Sequence, residues 1–313
     1  MNKEDDIRLD QKVRAAWMYY IAGLNQSEIA RQLGTSWPVV QRLIAAAKDE
    51  GIVSIGLHHP VANCLDYAQL LKEKYQLTDC NIMPVYSIES TLDSVTFGCY
   101  QLMARYLQGD KPTIVGIGSG LTLKKTIKRI DFDSQNTRCV ALISAMNEHG
   151  QCNYYDDVPL LLARKIQGKY YQWPAPRYAQ SREEYQMWST NRLFRNVSTV
   201  ARDSDVIFVG IGALGRQSPI FKDGFIDEQQ LEELTARGGV GEILGRFIDA
   251  EGNVVESQIN QMITSHDIRE SNCPRIAAAC GEDKRPAILA ALKGGWINGL
   301  VTDEHTARWL LTR

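Results

Sequence analysis

Seven short apolar runs, separated by segments with helical spacing, extend from about residue 63 to the end of the chain. The apolar runs cover residues 80–85, 112–117, 138–145, 169–173, 205–211, 275–280 and 297–302. The helical segments cover 64–75, 93–107, 121–130, 158–166, 191–200, 285–292 and 304–311. Unbroken apolar strands that alternate with helices are typical of a parallel sheet, because each crossover lays a helix on one face. The pattern predicts a doubly wound α/β domain.

A different pattern occupies the beginning of the chain, where residues 23–44 predict a helix, a sharp turn and a second helix. The first helix would end at Gly34, since glycine adopts the left-handed conformation at little cost. Thr35 or Ser36 can cap the next helix, and Pro38 suits its first turn, where a missing N–H does no harm. Two short helices joined by such a turn form the DNA-binding helix-turn-helix.

A third helix is expected before this motif, over residues 11–22, with residues 1–10 polar and frayed. Four of its apolar residues fall on one face and would pack against the helix-turn-helix: Val13, Trp17, Tyr20 and Ile21. Residues 52–55 alternate like a short strand that closes the module. We therefore expect a helix-turn-helix domain over 1–57 and a second domain over 58–313.

The charge distribution agrees with DNA binding. The 313 residues carry a net charge of −2, yet five basic residues and one acidic residue lie between residues 11 and 48. Phosphates would need positive charge there, although a solvated helix surface would look the same. The candidate DNA contacts are Gln26, Ser36, Trp37, Gln41, Arg42 and Lys48.

Three of these residues have specific chemistry for base recognition. Gln41 can pair with adenine, and Arg42 with guanine or with phosphate. Trp37 can pack on a thymine methyl group or on the sugar backbone, and the alternative is that it anchors the core.

Several classes of protein are disfavoured. The seven cysteines include no CxxC pair and most lie in apolar runs, which indicates buried thiols in a reducing cytoplasm. The five histidines lack the usual zinc spacings, so neither a metal nor another cofactor is expected. There is no apolar leader and no apolar run of membrane length, so we expect a cytoplasmic protein without a membrane partner.

The glycine-rich junction at 115–122 is the strongest candidate for a ligand site. It follows a predicted strand and opens a predicted helix, and it contains Gly118, Ser119, Gly120, Leu121 and Thr122. Free N–H groups at a helix start and two hydroxyls would suit a phosphate or several sugar hydroxyls. The alternative is a glycine turn that serves only tight packing.

A second glycine run, at 210–215, matches the GxGxxG pattern after a strand. A dinucleotide-binding turn must open a helix, and the residues that follow have no helical period. We expect instead a loop that borders the same cleft, with Arg216 able to reach an anion.

Charged residues at other predicted strand ends complete the candidate site. Glu242 falls in a glycine-rich turn at 238–243, Lys284 lies between a strand and a helix, and Asp303 and Glu304 follow the last strand. Carboxylates accept from sugar hydroxyls, and lysine suits a phosphate or a ring oxygen. Each one alone is more often a cap or a surface residue, but all would fall at the same edge of the sheet.

These motifs, in their order, resemble the SorC family of bacterial sugar-responsive transcriptional regulators, part of the wider DeoR-like group. The blocks that carry the resemblance are at 19–30, 116–120, 174–176, 209–213, 239–245 and 300–307. The resemblance implies an effector domain similar to the glucosamine-phosphate deaminase and ribose-phosphate isomerase fold, which senses a sugar or sugar phosphate rather than converting it. It also implies operator DNA as a partner and a homo-oligomer, usually a tetramer built from dimers.

The resemblance also assigns roles to residues. Residues 119–122 would hold the phosphate or terminal hydroxyls, Glu242 and Lys284 would hold the sugar, and Tyr154 and Asp156 would close over it. The family often has Asp at position 242, Asn at 156 and Gly-Gly at 144–145, so the identity of the sugar is open. Trp37 and Pro38 replace a common Arg-Ala pair, which predicts an atypical operator.

Two other functions are less well supported by the sequence. The fold would permit a sugar-phosphate isomerase or deaminase fused to a DNA-binding head, but such proton transfer needs a base beside the substrate. Glu242 is the strong candidate for that base, and His305 is the histidine at a strand end. A module used only for dimerisation would not explain why the glycine-rich junction at 115–122, which suits an anion, falls at the same edge of the sheet as Glu242 and Lys284.

Overall fold

The computed structural model describes residues 3–53, 59–146 and 158–313. The chain divides into two compact units, Met1–His59 and Pro60–Arg313. Two predicted ligand residues, Tyr154 and Asp156, lie outside the described residues, as does part of the predicted strand at 52–55.

The first unit consists of three helices: α1 (Lys3–Tyr20), α2 (Gln26–Gln32) and α3 (Trp37–Asp49). Asn25 begins α2 with a capping box, because its side chain accepts from the N–H of Glu28 and the Glu28 carboxylate accepts from the N–H of Asn25. Gly34 has a φ of 62° in the turn before α3. A small core joins the three helices around Ile29 and Val40.

The prediction for the first helix was wrong in two respects. It begins at Lys3 rather than at residue 11, and its fully buried residues are Ala15 and Ala16; of the predicted packing residues, Tyr20 does contact the core. Val13 and Trp17 are 45% and 57% exposed. Small side chains let α1 approach α3 closely, which directs the large ones outward.

The second unit contains eleven α-helices within the described residues: α4 (Pro60–Tyr75), α5 (Ile88–Leu107), α6 (Leu121–Lys128), α7 (Val158–Lys165), α8 (Arg182–Thr190), α9 (Arg192–Arg202), α10 (Pro219–Lys222), α11 (Glu228–Ala236), α12 (Gln258–Gln261), α13 (Arg285–Lys293) and α14 (Glu304–Leu311). The strands are β1 (Asp79–Met83), β2 (Ile114–Ile117), β3 (Arg138–Ala141), β4 (Lys169–Tyr171), β5 (Val206–Val209), β6 (Gly212–Ala213), β7 (Gly239–Ile243), β8 (Arg246–Asp249), β9 (Arg275–Ala278) and β10 (Gly299–Asp303).

Seven strands form one fully parallel sheet in the order β1-β10-β9-β5-β2-β3-β4. Each of the seven predicted apolar runs supplies one of them. After β2 the chain builds outward through β3 and β4, and then returns to place β5 on the other side of β2. The sheet is therefore doubly wound, as predicted, with its topological switch point between β2 and β5.

Both faces of this sheet are covered. One core contains buried residues of α5, α6 and α7, and the other contains buried residues of α9, α13 and α14. Side chains alternate across the sheet, so neighbours in β5 serve different cores: Ile207 and Val209 lie in one, and Val206 and Phe208 in the other.

Sequence reasoning missed a second, antiparallel sheet of three strands in the order β6-β7-β8. Its strand β7 takes up residues 239–243 of the segment 238–243, which was predicted to be a glycine-rich turn. Glycine at position 241 lets this strand lie close to α13, because a Cβ there would collide with Ala287 of that helix. A third apolar core, which contains Leu234 and Phe247, packs this sheet against α10, α11 and α12.

His266 lies in the second unit, where Nε2 is 2.9 Å from Ser271 Oγ. Burial, followed by the nearby Arg246 guanidinium, lowers the pKa of His266 to about 4. The fold therefore accommodates the neutral imidazole.

The pH dependence of stability should reveal this histidine. Below pH 6.5 this histidine is protonated in the unfolded chain but stays neutral in the folded chain. The free energy of unfolding therefore declines as the pH falls, and at pH 4 this group lowers it by about 3 kcal/mol. Urea denaturation between pH 7 and 4 should show a shallower decline for His266→Gln than for the wild type. His305→Gln, which changes a more exposed histidine, should keep the wild-type slope, and equal slopes for all three proteins would contradict the assignment.

Candidate functional site

A cavity of about 530 Å³ lies where the loops after β2 and β5 meet. This is the switch point of the sheet, where the two loops diverge and leave a crevice beyond the carboxyl ends of the strands. Residues 119–123 border it on one side and residues 210–215 on the other. The second glycine run therefore lies beside the cleft, as predicted, and no helix begins within it.

The lining combines an apolar surface with a small set of polar groups. The apolar side chains include Leu92, Leu121, Ile143, Ile211, Leu214, Ile220, Phe225 and Leu244. The polar and charged side chains are Ser119, Thr122, Arg177, Gln217, Ser218, Asp223, Glu242, Asp283 and Lys284. Two cations thus face three carboxylates, a balance suited to a ligand with several hydroxyls and little net charge.

The start of α6 supplies the backbone donors. Gly120 is its N-cap residue and has a φ of 120°, a conformation that favours glycine. The first N–H groups of a helix have no partner within the helix, and the macrodipole adds positive potential there. Ser119 and Thr122 bring hydroxyls to the same place, so this end of the cavity is suited to an anion or to hydroxyl oxygens.

Gly118 is buried and is not part of the lining. A Cβ at this position would lie 3.0 Å from Leu244 Cδ2 and 3.4 Å from the Cα of Val209. Gly118 therefore allows close packing beneath the cavity. Tight packing was the alternative to ligand binding for this glycine-rich junction.

Glu242 reaches the cavity from a strand and not from a turn. It pairs with Gly212 of β6, where any side chain would collide with the Glu242 carboxylate. Its Oε2 accepts a hydrogen bond of 2.8 Å from the N–H of Gly245. The carboxylate is thereby held beside the ligand space.

Lys284 ends a short 3₁₀ helix, Glu282–Lys284, and lies next to the first residue of α13. The structure thus brings residues 119–122, Glu242 and Lys284 to one cavity, although the chain separates them widely. Asp303 does not join them. It is buried and caps α14 by accepting from the N–H and the hydroxyl of Thr306 at 2.8 and 2.7 Å.

The interpretation of Arg216 was wrong. Its Nε donates to Glu228 Oε1 at 2.8 Å, and its Nη2 contacts the same oxygen. The side chain is 68% exposed and does not line the cavity. The carboxylate of Glu228 at the start of α11 holds this guanidinium outside the cavity.

Arg177 is a lining residue that sequence reasoning missed. Its side chain is buried, with the guanidinium carbon 3.6 Å from the centroid of the Phe225 ring, and its Nη2 donates to the Ser144 carbonyl at 3.3 Å. It directly follows the Pro174–Pro176 block, and nothing in that irregular segment's pattern predicts which way it faces.

Cys280 lies at the carboxyl end of β9 and also lines the cavity. Burial, reinforced by the Asp303 carboxylate, raises the pKa of the Cys280 thiol to about 11. The thiol is neutral at physiological pH and is a poor nucleophile there.

The predicted DNA-contacting residues of α3 share its outer surface. Trp37 is 49% exposed, which excludes a role as a core anchor, and Gln41, Arg42 and Lys48 are exposed. Val40, Ile44 and Ala47 form the opposite, buried side. Ser36 occupies the N-cap position without a capping bond from its side chain, and Gln26 is the first residue of α2.

Over residues 3–53, 59–146 and 158–313, no group of three or more His, Cys, Asp or Glu side chains could hold a metal ion. In the same part of the chain, no helix combines the length and the apolar character needed to cross a membrane.

Comparisons with known proteins agree with this geometry. The Sugar-bind family model, which describes a sugar-binding domain, matches residues 59–312. The erythritol catabolism regulatory protein EryD of Brucella abortus is 30% identical over 302 residues, which cover 96% of this chain and 95% of EryD. The transcriptional regulator LsrR of Escherichia coli is 31% identical over 313 residues, with 96% of this chain and 94% of LsrR covered.

A solved structure has the same fold over nearly the whole chain. The full-length sorbitol operon regulator SorC of Klebsiella pneumoniae superposes with a TM-score of 0.71 at 26% identity, covering 98% of this chain and 99% of SorC. The resemblance of the sequence to that family is thereby confirmed. The chain belongs to the SorC-like transcriptional regulators that carry a Sugar-bind domain.

Proposed function

We propose that this protein regulates a sugar- or polyol-utilisation operon by binding operator DNA through α3, and that a ligand in the cavity of the second unit modulates this binding. The observation that carries the proposal is the convergence of residues 119–122, Glu242 and Lys284 on one cavity at the switch point. Such a regulator would act in the bacterial cytoplasm, where operator DNA lies.

The lining favours a neutral polyol or a monophosphate as the effector. One anion can bind at the start of α6 with Lys284 nearby, while Asp223, Glu242 and Asp283 accept from hydroxyl groups. A bisphosphate would place a second dianion among these carboxylates. The names of EryD and SorC point the same way, since erythritol and sorbitol are linear polyols.

Control of DNA binding requires a ligand that prefers one arrangement of the protein over another. Helix-turn-helix proteins bind two half-sites as symmetric dimers, so a change in the spacing of two recognition helices alters operator affinity. We propose a homo-oligomer for this reason, specifically a tetramer built from dimers.

The cavity is less suited to catalysis. An isomerase or deaminase needs a positioned base, and no histidine is among the described lining residues. Glu242 is the candidate base, but its carboxylate accepts from a backbone N–H, and the Cys280 thiol, which also lines the cavity, is neutral. Incubation with ketose and aldose phosphates should give no turnover, and turnover above background would favour the enzyme.

Ligand binding should raise the melting temperature, because a ligand that binds only the native state stabilises it by about 2.7 kcal/mol at a hundredfold excess over Kd. The probes are erythritol, D-sorbitol, their monophosphates and inorganic phosphate. Lys284→Met should abolish the shift given by a phosphorylated probe, since it removes the cation beside the anion site. Lys293→Met changes the lysine at the other end of α13, which pairs with Glu251, and should keep the shift. A Lys284→Met protein that responds like the wild type would remove this lysine from the site.

Binding at the start of α6 can be tested by substituting Gly120, with Gly109 as a control that has a similar backbone conformation. Gly120 and Gly109 have φ values of 120° and 124°, and in both places a Cβ would meet no atom within 4 Å. Alanine should therefore destabilise both proteins to a similar degree, by about 1–3 kcal/mol in urea denaturation. Only Gly120→Ala should also weaken binding of the effector found above, measured by calorimetry. Equal affinity in the two variants would argue against binding at the start of α6.

DNA recognition can be tested on duplexes selected from a random pool by the wild-type protein. Gln41→Ala should weaken binding by about 1–3 kcal/mol and relax the preference at one base pair. Lys48→Ala should weaken binding to all sequences and lower the salt dependence of affinity by about one phosphate contact. Arg8→Ala, which removes an exposed charge from α1, is the control. If Gln41→Ala leaves the selected sequence unchanged, α3 does not read bases at that position.

A further inference from the structure

Arg177 lines the effector cavity, but the contacts proposed above for a polyol or a monophosphate do not use it. The residue is only 6% exposed, so its guanidinium is a buried cation at the wall of the cavity. Taking a cation out of water costs free energy, and an anionic ligand group offsets that cost better than a hydroxyl does. The position of Arg177 therefore favours a ligand with a charged group at this wall.

Arg177 reaches the cavity from the side opposite to the start of α6. Helix α6 packs on one face of the parallel sheet through Leu123 and Ile127. The segment that precedes Arg177 packs on the other face, through Trp173 and Ala175. The start of α6 and Arg177 can therefore contact different groups of one ligand.

Arg177 is also distant from Lys284 along the edge of the sheet. Its Nη2 donates to the carbonyl of Ser144, which follows β3, whereas Lys284 follows β9. The two strands are three positions apart in the order β9-β5-β2-β3, which is about 14 Å at the usual spacing of strands. A phosphate between Lys284 and the start of α6 therefore leaves Arg177 to the other end of a linear ligand.

Two contacts define the plane of the Arg177 guanidinium. The Phe225 ring covers one face, with its centroid 3.6 Å from the guanidinium carbon, and the Ser144 carbonyl accepts from Nη2 at 3.3 Å. A guanidinium held in this way presents the edge of its plane, and paired N–H groups along that edge match the two oxygens of a carboxylate. A second phosphate is less suited, because a dianion would be repelled by the three carboxylates of the lining.

We propose that Arg177 selects an effector that ends in a carboxylate, namely a linear sugar acid or its terminal phosphate. The carboxylate binds Arg177, the hydroxyls along the chain bind Glu242 and the other polar lining residues, and the far end binds beside Lys284 at the start of α6. The carboxylate adds a single negative charge and places it on a cation. This inference rests on the proposed function and narrows its ligand from polyols in general to polyhydroxy acids.

Two pairs of probes that differ at one carbon atom test the proposal. D-gluconate carries a carboxylate where D-sorbitol carries a hydroxymethyl group, and the same difference separates their 6-phosphates. Within the pair that it recognises, the wild-type protein should bind the acid at least about tenfold more tightly than the alcohol in calorimetry. The reason is that a hydrogen bond between charged groups contributes more than one to a neutral hydroxyl. The pair that binds shows whether the effector is the free acid or its phosphate.

Substitutions assign the preference to one side chain. Arg177→Met should abolish it, and Arg177→Lys, which keeps the charge without the planar pair of donors, should keep part of it. The preference is a ratio measured within one protein, so a loss of stability from the Phe225 contact does not change it. Arg216→Met, which removes an exposed arginine that Glu228 holds outside the cavity, should keep the wild-type preference. Lys284→Met should weaken both 6-phosphates alike.

The possible results separate this inference from the proposed function. Equal affinity for acid and alcohol in the wild type, or a preference that survives in Arg177→Met, would overturn the assignment. A preference that is lost in Lys284→Met and kept in Arg177→Met would show the ligand in the reverse direction and would overturn it too. If erythritol or the sorbitol probes bind and the acids do not, the proposed function stands and this inference fails. If none of the probes binds, both fail.

Discussion

The parallel pairing of β2 with β5 determines where the other parts of the second unit lie. Gly116 of β2 pairs with Ile207 of β5, and a Cβ on Gly116 would come within 2.8 Å of the Ile207 side chain. The glycine therefore permits the close contact at the centre of the sheet. Because the chain winds in opposite directions from these two strands, their following loops separate, and the cavity at 119–123 and 210–215 is the space between them.

Two of the charged side chains that line this cavity have defined partners. Glu242 is fixed by the N–H of Gly245, and the Arg177 guanidinium is stacked on Phe225. Side chains that are already hydrogen-bonded or stacked need little reordering, so a ligand that binds here would meet preorganised partners. The apolar walls add contacts that the carbon chain of the proposed polyol could use.

Much of this could be predicted from the sequence, and the omissions have physical reasons. Buried parallel strands are continuous apolar runs, so all seven were visible, and the rule for their carboxyl ends pointed to the edge of the sheet where the cavity lies. The β6-β7-β8 sheet was not predicted because its strands are short and rich in glycine. Contact with α13 stabilises this sheet, and no alternation of apolar residues in its sequence reveals it. Arg177 was missed and Arg216 was misplaced, because the direction of an arginine side chain depends on distant partners, Phe225 for one and Glu228 for the other.

The two units have separate hydrophobic cores, and this limits how a ligand can control DNA binding. The core around Ile29 and Val40 shares no residue with the three cores of the second unit. The core of the first unit by itself positions α3, because Val40 and Ile44 pack there against residues of α1 and α2. Under the proposed function, a ligand would act on the arrangement of copies, because a dimeric head gains affinity from two half-sites only at the right spacing. The proposed control is then a question of geometry between subunits, with the fold of each head left unchanged.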